Sequence, residues 1–245
     1  MSHSARTARA AGVDWRLYLV TDPYLGGGRG AVPEVVHQAV LGGVGVVQVR
    51  DKECDDDKFA AHALAIREAV ERAGATTGRD VPVFVNDRLD VARELGLHLH
   101  VGQRDVPLAH ARAALPDHLM LGLSIESDEQ VAVALADPTM APDVIGVSPV
   151  WSTATKTDTA PALGPEGADR IARAAHLGRV RAVGIGGIGP GTVARLATTE
   201  LDGVCVVSAI MASPDPRSVA TDLLSRWEAA RSQPLDSASY QREDP

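Results

Sequence analysis

The sequence predicts an α/β protein folded as a single (β/α)8 TIM barrel. Three observations carry this. Short apolar runs rich in Val, Leu and Ile alternate with helical segments eight times along the chain. The runs are apolar on both faces, as strands buried in a parallel sheet are. The length of 245 residues suits such a barrel, typically ~250 residues. A doubly wound open sheet is the structural alternative. No Gly-x-Gly-x-x-Gly follows the first strand, which weakens a dinucleotide-binding version of it.

The first strand candidate covers 16–21 (RLYLVT). Asp22-Pro23 stops it, and a loop with Gly26, Gly27 and Gly28 follows. A helix over 33–41 has Pro33 near its first turn, where proline is tolerated. Strand 44–52 leads to an Ala-rich helix over 55–73, acidic at its start. Strands 83–86 and 97–101 flank a helix over 88–95. Helix 107–114, strand 119–124, helix 128–136 and strand 144–147 follow, then a long polar loop over 148–164. Helix 166–175 leads to strand 180–185, and helix 191–197 to strand 203–208. The last helix spans 217–231. The barrel domain is therefore expected over 14–232, with a disordered tail at 1–13 and a polar tail at 233–245.

Composition bounds the function. Hydrophobic residues make up 45% and aromatics only 3%, so the core must be built from Val, Leu, Ile and Ala. A net charge of −8 and a pI of 5.4 argue against a nucleic-acid partner held by electrostatics, while leaving room for a local basic pocket. Two cysteines, Cys54 and Cys205, make no disulfide framework, and Cys205 sits in an apolar run as a small hydrophobe. The N-terminus, MSHSARTARAAGV, has basic residues but no apolar core of a secretory signal. No apolar run reaches membrane-spanning length. The expectation is a cytoplasmic protein acting on small molecules, with no membrane partner. Self-association as a homo-oligomer through the helical faces stays open, since no face stands out.

The chemistry gathers at strand ends. In 81–105, VPVFVNDRLDVARELGLHLHVGQRD, two successive buried strands each end in a carboxylate, Asp87 and Asp105. Parallel strands place their C-terminal ends side by side, so the two can face one point. Two carboxylates with room for water and phosphate oxygens are a usual Mg²⁺ site. The plainer alternative has Asp87 capping the next helix and Asp105 starting a turn. In the preceding strand, Gln48, Arg50 and Lys52 alternate and share one face. Buried cations need a partner. That partner is either an inward carboxylate such as Asp87 or an anion, and two cations with an amide suit a polyphosphate.

A second anion site is expected at the end of the chain. GIGGIG follows strand seven, with Gly187 inside it, and strand eight ends in Val207 and Ser208. Barrels of this type often bind phosphate there through backbone N–H groups. Ordinary tight turns are the alternative. The long loop carries Thr153, Thr155 and Lys156, which suit a segment closing on phosphate or a solvated loop equally. Ser124 ends strand five, and it or Glu126 can cap the next helix. His98 and His100 form an H-x-H on strand four, but a metal hydrolase would need histidines at other strand ends.

Taken in order, YLVTD, VVQVRDK, VNDRLDVA, HVGQRD, Ser124, SPVWSTATK, GIGGI and VVSAI resemble the thiamine-phosphate synthase family from about residue 18 to 210. The resemblance implies a transferase. It would join 4-amino-5-hydroxymethyl-2-methylpyrimidine diphosphate to 4-methyl-5-(2-phosphooxyethyl)thiazole, or its carboxylated form, and release diphosphate. It also implies roles. Gln48, Arg50, Lys52, Asn86, Ser124 and Lys156 would bind the pyrimidine diphosphate, with Arg50, Lys52 and Lys156 stabilising the leaving group. Asp87 and Asp105 would hold Mg²⁺. Thr153, Thr155, Gly187, Val207 and Ser208 would bind the thiazole phosphate. The implied mechanism is dissociative, through a pyrimidine methylene cation.

The sequence departs from the family pattern at Asp51, usually Glu, at Ser148, usually Gly, and at Trp151, usually Phe. Glu126 stands near a usual His, and Arg104 replaces an acidic neighbour of Asp105. The segment before His100 also differs and is shorter by one residue. A thiazole tautomerase of the same fold is one rival, and a non-catalytic thiazole-phosphate-binding barrel another. A sugar-phosphate isomerase would need an acid and base pair, for which Asp87 with Glu126 is the sole candidate.

Overall fold

Eight short strands close on themselves in chain order, each parallel to the next, in the computed structural model of the chain. Residues 9–152 and 161–232 are described. The strands are β1 (Leu17–Val20), β2 (Val46–Val49), β3 (Val83–Asn86), β4 (His98–Val101), β5 (Leu121–Ile125), β6 (Val144–Val147), β7 (Arg181–Ile185) and β8 (Gly203–Val206). Connecting helices are α1 (Val32–Leu41), α2 (Asp56–Thr77), α3 (Leu89–Leu95), α4 (Leu108–Ala114), α5 (Asp128–Leu135), α6 (Gly164–Leu177) and α7 (Val193–Leu196). A single turn α8 (Ser208–Met211) follows β8, and α9 (Pro216–Arg231) closes the ring. The chain is thus a (β/α)8 barrel. Among the described residues no helix is long and apolar enough to cross a membrane.

Period-two alternation splits the strand side chains into two cores. Leu17, Leu19, Val47, Val83, Val85, Leu99, Leu121 and Val204 face outward and pack under the helices. Tyr18, Val46, Phe84, Met120, Val144, Val183 and Cys205 face inward and fill the barrel. Three of the eight aromatics meet there: the rings of Trp15, Tyr18 and Phe84 lie 5.8 to 6.3 Å apart.

The expected N-terminal tail is too long by several residues. Residues 9–13 pack on the N-terminal end of the barrel instead. Ala10 is buried, and its carbonyl accepts a hydrogen bond from Trp15 Nε1 at 3.1 Å. Arg9 pairs with the fully buried Asp143 carboxylate at 2.9 Å. The expected tails at 1–8 and 233–245 lie outside the described residues.

Element ends differ where side chains take over the hydrogen bonding. β2 stops at Val49 rather than at residue 52, because Arg50 N donates to Thr21 Oγ1 at 3.1 Å. α2 starts at Asp56, capped by Asp55, whose carboxylate accepts from Lys58 N at 2.8 Å. It runs on to Thr77, where Gly78 at φ 68° ends it in the left-handed region. β5 extends through Ile125, so Ser124 lies within the strand. β8 ends at Val206, and Ser208 opens a helical turn.

Candidate active site

A cavity of about 530 Å³ opens at the C-terminal ends of the strands. From β2 and β3 it receives Gln48, Arg50, Lys52, Asn86 and Asp87, and from β4 and β5 Asp105 and Ser124. Gly187, Val207 and Ser208 line the side formed by β7 and β8, which closure of the ring sets across the mouth from β3 and β4. Thr153, Thr155 and Lys156 lie outside the described residues.

Asp87 does not cap the following helix. Its φ of 67° puts it in the left-handed region, and Arg88 occupies the N-cap position of α3 without a side-chain cap. Its N–H donates to the His100 carbonyl at 2.8 Å, which ties the end of β3 to β4. The side chain turns toward Asp105, with which it shares a hydrogen bond, and toward Lys52 Nζ at 3.2 Å. Asp105 does also shape its turn, since its Oδ2 accepts from Gly102 N at 2.6 Å.

Two carboxyl groups in contact cannot both ionise freely. Burial, then the Asp105 carboxyl beside it, push Asp87 up to about 6, and Lys52 offsets only part of this. Burial also opposes ionisation of Asp105, but hydrogen bonds from Asp87 and Gly102 N outweigh it and hold Asp105 below the usual carboxylate range. Below about pH 6 the pair shares one proton, and above it two adjacent negative charges stand against one lysine. A divalent cation replacing that proton would satisfy both. Hard oxygen donors in this number, with the rest of the shell left to water and substrate oxygens, fit Mg²⁺. Among the described residues no group of three or more His, Cys, Asp or Glu could hold a metal by itself.

Gln48 is fixed by donating to the buried Tyr18 hydroxyl at 2.9 Å. Arg50 and Lys52 stand past the end of β2 yet line the same cavity, as their alternation with Gln48 requires. Between them, Asp51 turns the other way into the protein.

The H-x-H pair is not a metal site. His98 Nδ1 accepts from Met120 N at 3.0 Å, and its ring packs on Phe84 at 5.0 Å. His100 Nε2 lies 3.1 Å from Ser124 Oγ. Burial pushes each imidazole down to about 4, so both are neutral near pH 7. Sequence reasoning gave His100 no place in the cavity, yet it lines it. A Cβ on Gly122 would stand 2.3 Å from His100 Nδ1, and one on Gly146 would stand 3.4 Å from Cε1. The two glycines on neighbouring strands make room for the ring. The signal available beforehand was the alternation that puts His98 and His100 on one face. Glu126 does not line the cavity, which removes the acid and base pair an isomerase would need.

On the opposite side, Gly186 (φ 109°) and Gly187 (φ 66°) take conformations that suit glycine. A Cβ on Gly187 would also stand 2.9 Å from Trp151 Cβ. The bare backbone of this turn therefore faces the cavity, as the glycine-rich sequence predicts.

The comparisons with known proteins agree with this geometry. A profile of the family described as thiamine monophosphate synthase matches residues 17–210. The chain is 47% identical over 222 residues to the thiamine biosynthesis multifunctional protein ThiED of Corynebacterium efficiens. That match covers 89% of this chain and 29% of the relative, so the chain spans less than a third of that protein's length. It is 42% identical over 202 residues to the thiamine-phosphate synthase of Albidiferax ferrireducens, covering 82% of this chain and 86% of the relative. A solved thiamine phosphate pyrophosphorylase of Pyrococcus furiosus superposes with a TM-score of 0.75 at 26% identity, covering 90% of this chain and 98% of that one. The order of motifs, the barrel and the lined cavity therefore have one explanation: the chain belongs to the thiamine monophosphate synthase family.

Proposed function

We propose that this chain is a thiamine-phosphate synthase. It condenses the pyrimidine diphosphate with the thiazole phosphate, giving thiamine phosphate and diphosphate. The observation that carries the reading is the shared cavity: Arg50, Lys52, Asp87 and Asp105 on one side and the glycine turn with Ser208 on the other. The cavity thus has one end suited to a metal-bound diphosphate and another suited to a phosphate. A tautomerase has no use for the first end.

The residues divide the work by position. Asp87 and Asp105 hold Mg²⁺, which supplies positive charge beside the leaving diphosphate. Arg50 and Lys52 donate to the diphosphate oxygens, where negative charge grows as the C–O bond breaks. Lys156 joins them, by the family resemblance. Gln48, Asn86 and Ser124 orient the pyrimidine over the neutral His100. Thr153, Thr155 and Ser208, with the backbone at Gly187 and Val207, hold the thiazole phosphate so that the ring nitrogen meets the methylene cation. The thiazole nitrogen brings its own lone pair, so no protein nucleophile or general base is needed. Water must be kept from the cation until capture.

Mixing the protein with both substrates and following diphosphate release, first with Mg²⁺ and then with EDTA, tests the reading. Metal-dependent release with formation of thiamine phosphate is the expected result. Binding of thiazole phosphate without release would replace it with the binding-barrel reading. Isomerisation of the thiazole unaffected by EDTA would replace it with the tautomerase.

A further inference from the structure

The turn 50–54 carries both Arg50 and Lys52 into the cavity, yet neither a strand nor a helix holds it. Side chains from elsewhere do. From one side Arg29, in the 3-10 turn Arg29–Ala31 between β1 and α1, donates to Asp51 Oδ2 through Nε at 2.7 Å and lies 2.6 Å away through Nη2. The Asp51 side chain is fully buried and also accepts from Glu53 N at 3.2 Å and from the Cys54 thiol. From the other side comes Arg88. Its Nη2 donates to the Asp51 carbonyl at 3.0 Å and to the Cys54 carbonyl at 2.7 Å. Its Nη1 pairs with Asp56, and the guanidinium lies 4.5 Å from the centre of the Phe59 ring.

These contacts fix the turn where it matters. The Asp51 carbonyl belongs to the peptide that precedes Lys52, so holding it sets the direction in which Lys52 leaves the backbone. Lys52 Nζ then meets Asp87 Oδ2 at 3.2 Å, and Arg88 is the residue next to Asp87. One residue thereby registers the cation-bearing turn of β2 against the carboxylate at the end of β3. Only a planar guanidinium donates to two carbonyls and a carboxylate while stacking on a ring, so lysine is no substitute.

We propose that Arg88 is a positioning residue for the diphosphate end of the site. It touches no reacting atom and acts by holding the turn that presents Arg50 and Lys52 opposite Asp87. The inference rests on the synthase reading for the ligand that the turn meets. A misplacement of about 1 Å of a charged group can lower a rate roughly 100-fold.

The test uses the full chain and two probes. The first is inorganic diphosphate with Mg²⁺, measured by calorimetry. The second is steady-state kinetics with both substrates. In Arg88→Gln and Arg88→Lys, diphosphate affinity is expected to fall roughly 10- to 100-fold. KM for the pyrimidine diphosphate rises and kcat falls, while KM for the thiazole phosphate stays put. Leu223→Ala, in the outer helix α9, serves as a control that loosens the fold without touching the turn. Unchanged diphosphate affinity in the Arg88 variants overturns the proposal. So does an equal loss in Leu223→Ala, or an equal rise in both KM values. Wild-type protein that binds diphosphate but makes no thiamine phosphate defeats the synthase reading alone, and the affinity series still decides the role of Arg88. Wild-type protein that binds no diphosphate overturns both.

Discussion

Gly122→Ala is the sharpest probe of the cavity floor. The new Cβ would stand 2.3 Å from His100 Nδ1, 3.0 Å from Cγ and 3.2 Å from Cε1. Ordinary contact begins near 3.4 Å, so the ring must shift by about 1 Å. It has little room, since Gly146 already lies against its far edge and Ser124 Oγ is 3.1 Å from Nε2. Overpacking of this kind costs about 1–3 kcal/mol. Replacing a glycine returns ~0.4–1 kcal/mol by restricting the unfolded chain. The net loss of up to about 2.5 kcal/mol lowers Tm by up to ~10 °C for a chain of this size. Displacing the ring into the cavity should also lower kcat/KM for the pyrimidine diphosphate by roughly ten-fold or more, with the thiazole phosphate KM unaffected. Calorimetry and steady-state kinetics read the two effects. Gly146→Ala is the matched control, because its Cβ meets His100 at an ordinary 3.4 Å and should leave Tm nearly unchanged. A Gly122→Ala protein as stable and as active as Gly146→Ala would refute the reasoning.

Four further outcomes are expected. Asp87→Ala should lower kcat by roughly 100-fold or more through loss of metal and charge, while its metal-free Tm equals or exceeds that of the parent; a Mg²⁺ titration of activity and a thermal scan check both. Arg104→Asp should tighten Mg²⁺ binding by returning an acidic neighbour to Asp105, and titration calorimetry showing no gain would sink the idea. Saturating the metal site at ~100 Kd should stabilise the wild type by about 2.7 kcal/mol, and Asp87→Ala should lose that response in the same scan. His98 gives the acid limb of stability: burial, then the nearby His118 and Arg9 charges, hold it at about 4, below its ordinary 6.5. The unfolded chain therefore binds the proton first, so the His98 contribution is full above pH 6.5 and falls by about 3 kcal/mol as pH drops toward 4, with His100 losing stability over the same range; urea midpoints of wild type and His98→Gln should converge as the pH falls.

The strand order and the residues at strand ends were legible because buried parallel strands leave few polar positions, and those stand out. Gln48, Arg50, Lys52, Asn86, Asp87, Asp105 and Ser124 all interrupt or end apolar runs, and all line the cavity. What could not be read depends on partners far away in the chain. Alternation continues through Lys52, so it could not show that the Arg50 N–H turns to the Thr21 side chain and ends the strand. Residues 9–13 read as the end of a disordered tail, and partners that include Asp143, 134 residues beyond Arg9, make them part of the fold. His100 is visibly inward, but its place in the cavity depends on glycines on the next two strands, Gly122 on β5 and Gly146 on β6. Arg88 sits in a motif that reads as a helix start, and nothing local says that it reaches the carbonyls of 51 and 54.

The two ends of the barrel treat buried charge in opposite ways. At the N-terminal end the Asp143 carboxylate is fully buried but met by Arg9 at 2.9 Å, Arg112 at 3.5 Å and Leu121 N at 2.8 Å. Removing one partner there would leave an uncompensated charge, which costs about 3–5 kcal/mol. At the C-terminal end Asp87 and Asp105 are pressed together with a single half-exposed lysine beside them, and burial and their contact push Asp87 up to about 6. Such a pair lowers the stability of the metal-free fold, which is why truncating Asp87 should not destabilise it. The barrel thus sets two guanidinium groups against one buried carboxylate at the first end, and only one lysine against two carboxylates at the second. The missing charge is positive beside the carboxylates and negative beside Arg50 and Lys52. A metal-bound diphosphate brings both at once, with each component placed against its opposite.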